Sequence, residues 1–125
     1  MICKIGVMMK MNSKFWDMLD KIVKNGITID RPKNTSHPKW PDMTYPVNYG
    51  YINNTTSGDG AEIDIWVGSE SNPTIVGVIN IVDIVKQEVE MKLLFGCTKE
   101  EIETIYQFHN KTTGMSGILV KREEN

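Results

Sequence analysis

From Thr74 to Val85 the chain is almost unbroken in β-branched residues, TIVGVINIVDIV. Side chains branched at Cβ lose rotamer freedom in a helix and pack well on a pleated surface, so this run predicts a long strand. A polar turn at Lys86-Gln87 leads into a second β-prone stretch, Val89 to Phe95. Further upstream, Ile27-Thr28-Ile29, Val47 to Ile52 and Ile63 to Val67 read as strands, with the turn cluster NNTTSGDG (Asn53 to Gly60) between the last two. The expected arrangement is consecutive antiparallel strands joined by turns. Pro32, Pro38, Pro41 and Pro46 withhold ladder donors and keep the intervening segment as loop or edge. Gly114 and Gly117 bracket a last strand at Ile118-Leu119-Val120.

Two helices flank these strands. Phe15, Trp16, Leu19, Ile22 and Val23 recur at helical spacing within about Ser13 to Lys24, and Asn25-Gly26 offers a left-handed stop. Thr98 with Glu101 forms a capping-box pattern, after which Ile102, Ile105, Tyr106 and His109 share one face. Mostly β with a helix near each end predicts a small barrel with flanking helices. At 125 residues the chain has room for a single domain and one modest core.

Composition excludes several classes. A net charge of -2 gives no basic surface for nucleic acid. The apolar opening MICKIGVMMKM is interrupted by Lys4 and Lys10, too short for a membrane span and without a signal-peptide pattern. Cys3 and Cys97, far apart and outside any C-x-x-C spacing, read as free thiols of a reducing cytoplasm.

Chemistry concentrates in three places. Asp59-Gly60-Ala61-Glu62-Ile63-Asp64 can gather oxygen ligands around a hard cation such as magnesium. In an unbroken strand Asp59 and Asp64 would point to opposite faces, so a shared metal requires a turn or bulge between them. The same hexad also describes an acidic hairpin tip that merely solvates itself. Asp83, Glu90 and Lys92 form a second set, with Glu90 and Lys92 on one strand face. An acid beside a cation suits a metal-phosphate site and equally a cross-strand ion pair. Arg31, Lys33, His37 and Lys39 form a basic proline-rich loop that can clamp phosphate oxygens or simply lie in water. Tyr45 and Tyr49 follow, as phosphate donors or half-buried strand tyrosines. His109, on an apolar helix face, reads as a satisfied core histidine.

Taken in order, these segments resemble family I soluble inorganic pyrophosphatases. Tyr45-Pro46-Val47-Asn48-Tyr49-Gly50-Tyr51-Ile52 is similar to that family's YPxNYGxI stretch, and Asp59 to Asp64 resembles its acidic signature D-G-D-P-x-D at the family's spacing. Asp30-Arg31-Pro32-Lys33-Asn34 is similar to the family's E-I-P-x-N strand end. The likeness covers Ile29 to Glu90 and extends towards Val120, leaving the N-terminal helix outside it.

The resemblance implies a five-stranded closed barrel of the oligonucleotide/oligosaccharide-binding type. It also implies magnesium-dependent hydrolysis of a phosphoanhydride, most directly pyrophosphate, with other divalent cations or another small diphosphate as variants. By that likeness Asp59, Asp64, Asp83 and Glu90 match metal ligands, Asp59, Asp64 and Tyr49 catalytic positions, and Lys39, Lys92 and Tyr45 substrate contacts. Arg31 stands in by proximity for an arginine on a hairpin this chain lacks. Relatives form homo-oligomers. Ala61 occupies the family's central aspartate position, a loss worth roughly 10²-fold or more in rate by general-base magnitudes. The same residues therefore also describe a protein that binds metal and phosphate without turnover.

Overall fold

Six strands form one sheet between two helices. The computed structural model describes residues 2–123, with side chains from residue 12 onward. The elements are α1 (Ile2–Val23), β1 (Ile27–Arg31), β2 (Asn48–Ile52), β3 (Asp64–Val67), β4 (Ile75–Asp83), β5 (Glu88–Phe95), α2 (Lys99–Asn110) and β6 (Met115–Lys121). The capping box at α2 is present: the Thr98 hydroxyl accepts from the Glu101 amide, and the Glu101 carboxylate accepts from the Thr98 amide. Gly26, at φ 95°, ends the turn after α1 in the left-handed region.

The sheet order is β1-β2-β3-β5-β4-β6. Two expectations are corrected here. The sheet has six strands rather than five and is open, with β1 and β6 at its edges among the described residues. The consecutive antiparallel order holds for β1–β2, β2–β3 and β4–β5 but breaks between β3 and β4, because β3 pairs with β5 in parallel and β4 lies beyond it, followed by β6. The physical reason for openness is burial on both faces. A small closed barrel turns one face inward, whereas here each face receives a helix.

On one face Trp16, Leu19 and Val23 of α1 pack on Ile52, Ile65, Ile75, Val78 and Leu93. On the other, Ile102, Ile105 and Phe108 of α2 pack on Tyr45, Val47, Trp66, Ile79, Ile81 and Leu94. Strand alternation accounts for the division: Ile65 and Leu93 point one way, Trp66 and Leu94 the other. Phe15, expected on the apolar stripe, is 45% exposed. Arg122 pins α1 to the sheet. Its Nη1 donates to Asp20 at 2.8 Å and to the Ile75 carbonyl, while Nη2 donates to Asp17.

Cys97 is free and buried, which pushes its thiol up to about 12; the Cys3 side chain lies outside those described. Among the described residues no helix is long and apolar enough to cross a membrane.

Candidate active site

Lys92 is the organising residue. Period-two alternation along β5 puts Glu88, Glu90 and Lys92 on the α2 face of the sheet. Further along, that face becomes the Leu94 core, so Lys92 is only 7% exposed. A buried ammonium needs partners, and it has three. Its Nζ donates to Asp64 Oδ2 at 2.9 Å, pairs with Glu90 Oε1 at 2.8 Å and donates to the Tyr49 hydroxyl. Burial alone would lower the Lys92 pKa, but the carboxylates of Asp64 and Glu90 outweigh it and hold the amine charged. The Tyr49 phenol is raised chiefly by burial, so it stays neutral.

A cleft of about 140 Å³ opens above Lys92. Its walls are aromatic: Tyr45 stacks on Tyr49 at 5.4 Å between ring centres, and Trp66 meets Tyr49 edge-on at 4.6 Å. Trp66 Nε1 donates to His109 Nε2 at 3.2 Å, which leaves the other imidazole nitrogen facing Met115 Sδ. Burial, then the charge of Lys92, lowers His109 to about 3, so it is a neutral, hydrogen-bonded core histidine that also lines the cleft.

Carboxylates and amines share the rim. Asp83 and Glu88 are cross-strand partners, two residues beyond the Ile81–Glu90 pair and on the same face, and Lys86 sits on the turn joining their strands. Asp83 Oδ1 accepts from the Val85 and Lys86 amides, each at 3.0 Å, which fixes that turn. Burial, then the charges of Lys86, Arg31 and Lys39, holds His37, which lines the cleft, below its ordinary value.

The expected site residues are thus distributed unevenly. Asp64, Glu90, Lys92 and Tyr49 meet in one cluster, and Asp83 and Tyr45 line the same cleft. Arg31 lies beside Tyr45, and Lys39 is exposed near His37; neither lines the cleft. Asp59 is not brought into the cluster. It is fully exposed, and Oδ1 accepts from the Ser57 hydroxyl and the Ala61 amide, closing its own loop. These two hydrogen bonds lower its pKa.

Glu88 and Lys86 were not singled out by sequence. The alternation Glu88, Glu90, Lys92 was a signal for the first, while nothing local marks Lys86 as different from any turn lysine.

Carboxylate oxygens are the right donors for a hard cation, but among the described residues no group of three or more His, Cys, Asp or Glu is gathered to hold one. The arrangement fits magnesium that arrives with phosphate. That ion is usually held by one or two carboxylates plus substrate oxygens and waters rather than by an all-protein cage.

A buried lysine held by two carboxylates thus lies beneath an aromatic-walled cleft whose rim carries both acids and a lysine. A family model, inorganic pyrophosphatase, matches residues 20–120. The chain belongs to the inorganic pyrophosphatase family and is a hydrolase of this type by descent.

Among solved structures it is similar to an inorganic pyrophosphatase from Helicobacter pylori, with 17% identity, 76% of this chain and 81% of that one covered, and a TM-score of 0.51. A Coxiella burnetii inorganic pyrophosphatase gives 15% identity, 78% and 84% coverage and a TM-score of 0.53. One from Neisseria gonorrhoeae gives 20%, 75% and 81%, and 0.50. At such identities these likenesses carry the fold. A search of curated proteins found no match.

Proposed function

We propose that the chain hydrolyses a phosphoanhydride, with inorganic pyrophosphate as the reference substrate and magnesium as the accompanying cation. The observation that carries this reading is the Lys92 ammonium, buried at the base of a cleft yet bound to two carboxylates, Asp64 and Glu90, whose side chains remain 32% exposed. A lysine serving only structure would be buried with its partners. Here the anionic partners face solvent.

In this reading Asp83 and Glu90, which line the cleft, would hold the cation, and the cation would offset phosphate charge and make a bound water a better nucleophile. Lys92 and Lys86 bind phosphate oxygens, with Arg31 and Lys39, outside the cleft, attracting the anion at longer range. Tyr49, kept neutral, fixes the lysine and offers its hydroxyl as a positioning contact. Asp64, whose Oδ2 takes the ion pair and whose side chain is a third exposed, accepts the proton of the attacking water. The water oxygen bonds to phosphorus, the bridging P–O bond breaks, and its electron pair leaves with the second phosphate. Asp59, closed on its own loop, supports the loop that leads into Asp64.

The deciding experiment is phosphate release from pyrophosphate and triphosphate with magnesium, in the parent and in Asp64→Asn. Activity in the parent that is reduced at least about 10²-fold in the variant supports the proposal. A parent inert towards both substrates fails it, and an Asp64→Asn protein as fast as the parent shows that the site is misplaced.

A further inference from the structure

Beside the cleft lies a second hollow of about 410 Å³, within the range of small-molecule sites. Trp40, Met43, Asp83, Lys86 and Met115 line both, so the two are continuous across the turn that carries Lys86. Beyond that boundary the chemistry changes. Pro41, Val85, Gly114 and Thr112 complete the hollow with Asp42, and Trp40 and Val85 are 54% and 76% exposed. An aromatic and an aliphatic side chain thus stand in water beside a cleft that holds Lys86 and Lys92. Inorganic pyrophosphate is small and charged throughout, and covers neither.

We infer that the site takes a diphosphate monoester carrying a hydrocarbon group, with the diphosphate at Lys86 and Lys92 and the hydrocarbon over Trp40, Met43, Val85 and Met115. This deepens the hydrolase reading above and rests on its placement of the diphosphate. Charge complementarity fixes the orientation, because among the described residues of the hollow the one lysine, Lys86, lies on its cleft side. A nucleobase fits less well. Its donors and acceptors need polar partners, and away from the shared boundary the hollow offers Asp42 and Thr112 alone. Methionine walls at Met43 and Met115 suit a flexible chain, since thioethers adapt to irregular shapes. The reaction is unchanged: water attacks the terminal phosphorus, the phosphoanhydride breaks, and an alkyl monophosphate and inorganic phosphate leave, with one proton passing to a carboxylate.

Calorimetry with methylene-bridged, non-hydrolysable analogues tests binding apart from turnover. Each buried methylene is worth about fourfold in affinity, so the isopentyl ester of methylene diphosphonate should bind at least about tenfold more tightly than the unesterified diphosphonate. Val85→Asp should bring that ratio close to one, and Thr112→Trp, which fills the hollow, should do the same. Equal affinities in the parent, or a ratio untouched by both variants, overturn the inference. So does a uridine-bearing analogue that outbinds the isopentyl ester. A parent that prefers the isopentyl analogue but hydrolyses no diphosphate upholds the site and refutes the hydrolase reading. One that hydrolyses pyrophosphate without any preference does the reverse.

Discussion

Lys92 Nζ lies 2.9 Å from Asp64 Oδ2, although the residues are 28 positions apart and on strands that run parallel. The β3–β5 pairing aligns Ile65 with Leu93, so Asp64 and Lys92, each one step earlier, come alongside on the opposite face. With Glu90 on the other side, one ammonium serves two carboxylates. Removing it leaves two like charges near each other in a cleft.

Lys92→Met should therefore lower pyrophosphate hydrolysis by at least about 10²-fold, since it deletes a phosphate contact and frees two repelling carboxylates. Its effect on folding should be smaller. Breaking a fully buried pair costs about 3–5 kcal/mol, but Asp64 and Glu90 are a third exposed and can regain water. A loss of about 1–2 kcal/mol in urea unfolding is expected. The double mutant with Asp64→Asn should lose less than the two single changes added together. Strict additivity would show that the two residues do not act as a unit.

Ala61→Asp should raise pyrophosphate hydrolysis. Ala61 is exposed on the loop between Asp59 and Asp64, and its amide is already held by Asp59, so a longer side chain meets no core packing. A third aspartate in that segment would add a ligand or base of the kind the family's acidic signature carries. A gain approaching about 10²-fold is the general-base scale. No change, or a loss without loss of folding, would contradict it, and kcat and KM should be followed together.

Much of this was legible in local pattern. The Thr98–Glu101 box marked α2 to the residue, and period two placed Glu90 beside Lys92. The β-branched runs located all six strands, while the count of five came from the resemblance. What stayed hidden depends on long-range pairing. No local signal says that β5 returns parallel to β3, and without that Asp64 has no visible cation. Asp59 lies outside the cluster for the opposite reason: its partners, Ser57 and Ala61, are two residues away and satisfy it locally, which is the self-solvating tip that the hexad also described. The Arg122 clamp on Asp17 and Asp20 joins the two ends of the described chain, beyond the reach of any window.

Stability should fall with acid before the carboxylates titrate, because His109 is buried and neutral. Its folded pKa is lowered to about 3, against an ordinary 6.5. Below 6.5 the unfolded chain takes a proton that the folded one refuses, so stability is full above 6.5 and declines towards 3, on the order of 1.4 kcal/mol per pH unit. Between pH 6.5 and 5 this decline should dominate. His109→Gln should flatten it, with urea midpoints at each pH as the measurement. An unchanged slope in the variant would assign the acid sensitivity elsewhere.

Gly50→Ala should destabilise the sheet without touching the cleft. Gly50 stands in the middle of β2, opposite Ile29 on the edge strand β1, and is buried. A Cβ built there falls 1.9 Å from the Thr28 carbonyl oxygen and 2.8 Å from the Ile29 Cα, both backbone atoms that cannot rotate away. The strands must separate locally, and overpacking of this kind costs about 1–3 kcal/mol. Because β1 pairs only with β2 among the described residues, the damage should appear first as faster amide exchange at Ile27, Ile29 and Tyr51, with β4–β5 amides unchanged. Uniform acceleration across all six strands would mean instead that β1 and β2 unfold with the rest as one unit. A variant as stable as the parent would show that the close approach of β1 to β2 at this position does not exist.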